Sequence, residues 1–322
     1  MSQHFLLTAA ARTLSLSAVA RMSDEEAHAR FVAIRWADNQ GQPYCPKCGC
    51  LKVYAYAARR LWKCAGCRYQ FSVTARTIFA DRKRSIRDYL LAIAIFANGA
   101  KGHSALQLSR DLDCQYRTAY VLAHKLRESL GSVVHGGQEL SGEVQVDGMY
   151  AGGHRKPENK KADRVDRRLA EEQTGKRQVV VVAREVLGRT LPFVVPQESA
   201  AVPLISRHVA SGAIIHADEA AGWDALHASY DTRRVNHSAE YVAEDGTNVN
   251  QAESFFSRLR RAEYGIHHRI SGQYLQAYAD EMAWREDVRR EPNGLQWRRI
   301  TSAALRHPMS QVWRGYWNRS AA

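Results

Sequence analysis

Four cysteines in two closely spaced pairs constrain the N-terminal part of this chain more than any other feature. Cys45 and Cys48 form one C-x2-C pair, and fifteen residues later Cys64 and Cys67 form the second. Two such pairs can bring four thiolates into one closed, tetrahedral zinc site. The stretch KVYAYAARRLWKC alternates as a β-hairpin does. We therefore predict a zinc ribbon in residues 41–80 that binds one structural Zn2+.

Disulfide bonds and a redox-active dithiol are the alternatives to zinc. A thioredoxin-like motif needs only one C-x2-C pair, and disulfides are rare in a reducing cytoplasm. We expect a cytoplasmic protein, because Arg12 interrupts the apolar segment FLLTAAA and no Lys or Arg precedes it, unlike in a secretory signal. The longest apolar run is Tyr89–Ala97, which is far shorter than the roughly 20 residues of a membrane-spanning helix. We interpret Cys50 and Cys114 as small packing residues.

The charge of the chain favours DNA as the partner. Its 46 Lys and Arg outnumber its 33 Asp and Glu, giving a formal net charge of +13. Leu51–Asp88 has ten basic and two acidic residues, and Ser254–Ala322 has twelve and six. A solvated basic face can explain either region alone, whereas two such regions in separate parts of the chain favour a polyanion. A membrane surface is the weaker alternative, and we expect no membrane partner.

Helices are expected on both sides of the ribbon. Residues 1–40 are predicted to be a small helical lead-in with a packing role, in which Ser23 and Glu26 form a capping-box pattern. After the ribbon, SIRDYLLAIAIFANGAKG predicts an apolar helix, and SALQLSRDL and YRTAYVLAHKLRESL predict two more joined by a short turn. This order predicts a helix-turn-helix domain in residues 81–135. Paired helices are common, so the DNA-binding interpretation depends on the adjacent basic ribbon. The candidate contacts are Gln115, Arg117, Thr118 and His124.

Residues 140–290 have the pattern of an α/β domain. Apolar and alternating runs predict strands at EVQVDGMYAGG, VVVVARE, TLPFVV, AIIHAD and RRVNHS, and helices at AVPLISRHVA, GWDALHASY and NVNQAESFFSRLRR. The continuous apolar runs indicate a sheet covered on both faces. A charged insertion at 154–178 is either a solvated loop or a DNA-contacting arm. Residues 291–322 are predicted to be a basic C-terminal tail that docks either on the core or on DNA.

Three acidic residues of this domain are candidates for its chemistry. Asp147 and Asp218 each lie at the end of a strand-like run, and strand ends are where open sheets bind ligands. Glu253 lies on an amphipathic helix that presents Ser257 and Arg260 on the same side. Taken alone, a solvated surface helix explains this pattern. The three carboxylates together predict a site at one edge of the sheet.

These segments resemble the DDE transposases of bacterial insertion sequences, of the insertion-sequence-1595 type, over roughly residues 24–320. In the ribbon and the helices the resemblance depends on CPKCG, CAGCRYQFSVTARTIF and SALQLSRDL. In the α/β part it depends on GEVQVDGMYAGG, HADEAAGWDAL, VNHS, VNQAESFFSRLRRAEYGIHH and YLQAYADEMAWRED. The motifs are specific as a set and weak individually. The resemblance implies a ribonuclease-H-like mixed sheet preceded by a zinc ribbon and a helix-turn-helix domain.

The resemblance also implies which residues carry the chemistry. The catalytic acids of the family map onto Asp147, Asp218 and Glu253, with 34 residues between the last two, and its basic residue maps onto Arg260. The sequence departs from the family pattern at three positions. Gly148 stands where an acidic residue often follows the first Asp, Arg260 stands where Lys is frequent, and Asp113 replaces a customary Gly in the helix-turn-helix turn.

The mechanism that the resemblance implies is phosphoryl transfer on two Mg2+ or Mn2+ ions about 3.5 to 4 Å apart, held by the three carboxylates. Hard oxygen ligands select these ions over zinc. Asn250 and Arg260 are expected to orient a carboxylate and a phosphate. The implied partners are the terminal inverted repeats of the element and target DNA, and the implied assembly is a homo-oligomer on the DNA ends.

Two other functions remain open at this level. A catalytically silent regulator could retain the zinc ribbon and the helix-turn-helix domain, but it has no use for three carboxylates that face a polyanion. A nuclease of the ribonuclease-H type is the second alternative. It predicts DNA cleavage without joining, and no feature of the sequence excludes it.

Overall fold

The computed structural model of the chain describes residues 5–151, 160–163, 178–235 and 247–318. The chain forms two compact units. The first combines Met1–Val133 with Val288–Ala322, and the second is Val134–Asp287. Most of the charged insertion predicted at 154–178 lies outside the described residues.

The N-terminal segment of the first unit consists of short helices, the second of which contacts the ribbon. Helix α1 spans Leu16–Ala20 and α2 spans Asp24–Arg35. The predicted capping box is confirmed, since Ser23 and Glu26 exchange backbone-to-side-chain hydrogen bonds of 3.1 and 2.8 Å. Just after α2, the ring of Trp36 lies 5.3 Å from that of Trp62 in the ribbon. The lead-in therefore has the packing role that we expected.

The predicted hairpin of the ribbon is confirmed. Strands β1 (Val53–Tyr56), β2 (Leu61–Cys64) and β3 (Gln70–Phe71) form an antiparallel sheet in that order. Arg35 at the end of α2 donates hydrogen bonds to the backbone carbonyls of Ser72 and Ala75, which follow β3. Because buried carbonyl groups need donors, this arginine ties the end of the ribbon to α2.

The three helices predicted after the ribbon are present. They are α3 (Ile86–Asn98), α4 (Ala105–Asp111) and α5 (Tyr116–His135). Between α4 and α5, Asp113 adopts a φ of +45°, which confirms that an aspartate can replace glycine in this turn. A short polar side chain tolerates the left-handed region better than most others do.

The second unit is built on a mixed five-stranded sheet, which confirms the predicted α/β class. The strands are β4 (Glu143–Ala151), β5 (Gln178–Glu185), β6 (Thr190–Val195), β7 (Ile214–Asp218) and β8 (Asp231–Val235). Their order in the sheet is β6-β5-β4-β7-β8. Strand β4 pairs antiparallel with β5 and parallel with β7. The two strands that carry Asp147 and Asp218 are therefore neighbours.

Helices cover this sheet. They are α6 (Val202–His208), α7 (Asn250–Ala262) and α8 (Leu275–Asp287). The segment GWDALHASY was predicted to be an α-helix, but Ala221–Ala228 forms a 3-10 helix. Val179 and Val180 point to opposite faces of β5 and both are fully buried. Both faces of the sheet are therefore covered, as the continuous apolar runs predicted.

The C-terminal segment belongs to the first unit and is largely structured. Helix α9 (Asn293–Arg306) packs against α2 and α3, and the indole of Trp297 donates to the carbonyl of Leu90 at 3.0 Å. Beyond α9, the ring of Trp313 stacks on His124 at 4.3 Å. His124 is 0% exposed, so its interpretation as a DNA contact was wrong. The segment that was predicted to be a tail docks on its own unit.

Within the described parts of the chain, each helix is too short or too polar to span a bilayer.

Candidate active site and zinc centre

The four paired cysteines of the ribbon come together in space. Their Sγ atoms all lie within 4.8 Å of one another, with the Cys45–Cys67 and Cys48–Cys64 distances both 3.6 Å. Gly49, directly after Cys48, adopts a φ of +73° that closes the first turn and that other residues rarely tolerate. Cys50 lies outside this group, and its Sγ contacts the carbonyl of Lys52 instead.

The clustered thiols shift one another's pKa values in opposite directions. Hydrogen bonding from the backbone N–H of Cys67 lowers the pKa of the Cys64 thiol to about 6. The backbone N–H of Cys50 lowers the pKa of Cys48, but burial and the neighbouring thiols outweigh it and raise that pKa to about 12. Four thiolates in so small a volume repel one another, and a zinc ion removes that repulsion by binding all of them. The residues present therefore fit a structural zinc.

Asp147 and Asp218 are neighbours at one edge of the sheet of the second unit. The parallel register of β4 and β7 pairs Val146 with Ala217, so the next residues on both strands are the two aspartates. Asp218 is oriented by Trp223, whose indole N–H donates to its Oδ1 at 2.7 Å. Trp223 is fully buried in the 3-10 helix after β7, and sequence reasoning did not assign it this role.

Helix α7, which carries Glu253, packs against β4 and β5, and a buried glutamine fixes that helix to the sheet. Gln145 lies two residues before Asp147 on β4, and its Oε1 accepts from the backbone N–H groups of Gln251 and Ala252 at 2.8 and 3.2 Å. Its Nε2 donates to Oδ1 of Asn248 at 2.9 Å. These bonds satisfy donors that the first turn of a helix leaves without partners. A glutamine between the two apolar residues Val144 and Val146 was the signal for this role, and sequence reasoning missed it.

The electrostatics of Asp147 indicate a cluster of acidic groups. Burial, followed by the charges of Asp218, Glu253 and Glu198, raises the pKa of Asp147 from its usual 3.8 to about 7, against the lowering effect of the Gly148 N–H. The three predicted acids are thus electrostatic neighbours, and Glu198 is an additional one that the sequence did not indicate. Among the described residues the carboxylates do not meet the 4.8 Å mutual spacing of the thiols. The acidic cluster is therefore looser than the thiol cluster.

These carboxylates fit divalent ions that prefer oxygen. They supply hard oxygen ligands with unfavourable charge clustering, which Mg2+ or Mn2+ neutralises. Asn250 begins α7 and is exposed, and Arg260 is exposed two turns after Glu253 on the same helix. Their neighbour Arg258 has a structural role instead, because it binds the fully buried carboxylate of Glu286 at 2.6 Å.

The stability of the metal-free protein should fall as pH rises. The folded-state pKa of Asp147 is raised to about 7, so its contribution is fully present below about pH 4 and is lost as pH rises through 7. A divalent ion offsets the repulsion of the ionised groups. We expect Mg2+ to raise the melting temperature more at about pH 8 than at about pH 5. Thermal unfolding at both pH values checks this. If the Mg2+-induced rise in melting temperature depended on pH in the Asp147→Asn variant as it does in the wild type, the prediction would be contradicted.

Replacing Gln145 should loosen α7. The Gln145→Met variant keeps the side-chain volume but leaves two backbone N–H groups without an acceptor, which should reduce the free energy of unfolding by about 1 to 3 kcal/mol. Displacement of Glu253 should also lower the rate of the DNA cleavage that the family resemblance implies, by up to about 100-fold. Urea denaturation measures the first effect. Gln273→Met is the matched control, because Gln273 is exposed in the same unit, and an equal loss in both variants would contradict the assigned role.

Two family models match this sequence. Residues 139–287 match the ISXO2-like transposase domain, and residues 22–70 match the transposase zinc-ribbon domain. The first match contains Asp147, Asp218 and Glu253, and the second contains the four clustered cysteines. With the thiol cluster, the second match identifies a structural zinc site. Comparisons with curated proteins and with solved structures give no match.

Proposed function

Because the chain belongs to the insertion-sequence-1595-type, ISXO2-like family of transposases, we propose that it cuts and joins DNA ends by phosphoryl transfer on two Mg2+ or Mn2+ ions. The observation that carries the proposal is the parallel register of β4 and β7. It gives Asp147 and Asp218 adjacent positions, and Gln145 anchors the helix of Glu253 to the same strand.

Each residue of the proposed site has a definite task. Asp147, Asp218 and Glu253 would hold the two ions, and Trp223 keeps the Asp218 carboxylate in one orientation. Ions bound there would supply activation of water or a DNA 3′-hydroxyl and stabilisation of the departing oxygen. Asn250 and Arg260, exposed on α7, orient a carboxylate and a DNA phosphate. A guanidinium group suits the second task because it can donate two hydrogen bonds to one phosphate.

The first unit is the proposed DNA-binding part. Its ribbon and α3 region carry the excess positive charge of Leu51–Asp88, and Gln115, Arg117 and Thr118 are exposed at the start of α5. We propose that it binds the terminal inverted repeats and that the protein assembles as a homo-oligomer on DNA ends. Because phosphate contacts release counterions, binding should weaken steeply as salt rises.

The test is incubation of the full-length protein with the DNA that flanks its own gene, with and without Mg2+. End cleavage followed by joining to a second DNA supports the proposal. Cleavage without joining would instead identify a nuclease of the ribonuclease-H type. Salt-sensitive DNA binding with neither reaction would identify a catalytically silent regulator.

Replacing Arg260 should weaken the reaction without abolishing it. We expect the Arg260→Ala variant to lose about 10- to 100-fold in cleavage rate, since a charge-assisted hydrogen bond to phosphate contributes about 1.5 to 3 kcal/mol. Arg260→Lys should retain most of the activity. The rate of end cleavage at saturating Mg2+ checks this. Arg261→Ala is the matched control, because Arg261 is also exposed but lies on a different side of α7, and equal losses in both would contradict the assignment.

A further inference from the structure

Glu198 approaches the edge of the sheet where Asp147 and Asp218 lie. It begins the 3-10 helix Glu198–Ala201, which follows β6. A Cβ atom on Gly148 would lie 2.7 Å from Oε1 of Glu198, and a Cβ atom on Gly222 would lie 3.0 Å from its Cβ. The Glu198 side chain therefore occupies space that two glycines leave open, one directly after Asp147 and one in the 3-10 helix after Asp218.

No favourable contact in the described structure explains the position of this carboxylate. Within residues 5–151, 160–163, 178–235 and 247–318, no hydrogen bond or ion pair involves the Glu198 side chain. Its charged neighbours are acidic. Burial, followed by the charge of Asp218, raises the pKa of the Glu198 carboxyl, and the charge of Glu198 contributes to the raised pKa of Asp147. A half-buried carboxylate among other carboxylates destabilises a fold unless a cation compensates.

We propose that Glu198 is a fourth carboxylate ligand of the divalent metal site and holds, together with Asp218, one of the two ions. This inference rests on the proposed function, since it assigns Glu198 to the same site. The ion compensates the acidic cluster and gives Glu198 the partner that the described residues do not supply. A ligand role for Glu198 also accounts for glycine at position 148, because a side chain there would displace the Glu198 carboxylate. It accounts likewise for glycine at position 222, where a Cβ atom would lie 3.0 Å from the Cβ atom of Glu198.

The alternative is a purely structural role. Glu198 lies in the first turn of a helical segment, where an acidic side chain interacts favourably with the helix dipole. That role predicts that neutralising Glu198 lowers stability with or without metal and leaves metal affinity unchanged. A ligand role predicts the opposite pattern, in which metal affinity falls and the metal-free protein is at least as stable as before.

The test measures Mn2+ binding to the full-length zinc-loaded protein through the rise in melting temperature during a Mn2+ titration. Mn2+ prefers oxygen ligands, so the thiol site does not interfere. We expect Glu198→Gln to shift the titration midpoint to about 10-fold higher Mn2+ and to leave the melting temperature of the zinc-loaded protein without Mn2+ unchanged or raised. The Mg2+ concentration for half-maximal DNA cleavage should shift in the same direction.

Glu219→Gln is the matched control, because Glu219 is exposed and adjacent to Asp218 in sequence, and its midpoint should not move. An unchanged midpoint for Glu198→Gln would overturn the inference while leaving the proposed function intact. A wild-type protein without any Mn2+ response or DNA cleavage would overturn both. Glu198→Asp, which shortens the side chain by one methylene, should lie between wild type and Glu198→Gln and replaces the latter if it does not fold.

Discussion

Neutralising any one of the three proposed metal ligands should abolish DNA cleavage and joining. We expect Asp147→Asn, Asp218→Asn and Glu253→Gln each to lower the cleavage rate by about 1,000-fold or more, which corresponds to about 4 kcal/mol of transition-state stabilisation. Folding and salt-sensitive DNA binding should be largely retained, because the changes are isosteric and the proposed DNA-binding residues lie in the other unit. Gel assays of cleavage and of joining with the flanking DNA measure the effect.

The controls for this prediction come from the same edge of the sheet. Glu219 is exposed, and Glu219→Gln should leave activity unchanged. Asp224 pairs with Arg234 at 2.8 Å, and Arg234 also donates to the backbone carbonyl of Asp218 at 2.7 Å. Asp224→Asn should therefore have a small indirect effect. Equal losses in Asp224→Asn and Asp218→Asn, or normal joining by Glu253→Gln, would contradict the assignment of the three acids.

Loss of zinc should unfold the ribbon. Structural zinc contributes about 10 kcal/mol or more to the folding of small zinc modules, which is comparable to the whole stability of a typical domain. We expect one zinc per chain by elemental analysis, and loss of both zinc and ribbon structure on strong chelation or in the Cys64→Ser variant. Tryptophan fluorescence reports the change, because Trp36 and Trp62 pack against each other at 5.3 Å.

The matched control for the zinc prediction is Cys50→Ser. Cys50 lies in the same ribbon but outside the group of four clustered thiols, so this variant should retain zinc and unfold as the wild type does. A Cys64→Ser variant with a full complement of zinc and unchanged thermal unfolding would show that the four cysteines do not form the site.

The zinc centre was predictable from sequence because its ligands are local. Each pair of cysteines is separated by two residues within one turn, and a single hairpin connects the pairs. Short-range geometry therefore determines which thiols can meet. The class of the second unit was also predictable, since fully buried strands such as β5 are continuous apolar runs in the sequence.

The C-terminal segment shows where local pattern was insufficient. Its charge indicated a basic tail, but α9 packs on α2 and α3 and Trp313 stacks on His124. An amphipathic pattern shows that a helix has an apolar face, and it does not show which surface will cover that face. The same limit applies to His124, whose residue type suits DNA but whose ring is buried.

Some features of the candidate active site were likewise predictable from the sequence, whereas others depend on long-range contacts. The zinc ligands, the α/β class and the position of Asp218 at the end of a strand were predictable from the sequence, because these depend on spacing and hydrophobic periodicity along the chain. The prediction that Asp147 also ends a strand was wrong, since Asp147 lies in the middle of β4 (Glu143–Ala151). Only the tertiary structure decided that β4 and β7 are neighbours, that Gln145 anchors α7, and that Glu198 lies beside Gly148. These contacts join residues far apart in the chain, and they form because strand order and helix docking are determined by burial of the whole apolar surface rather than by any local segment.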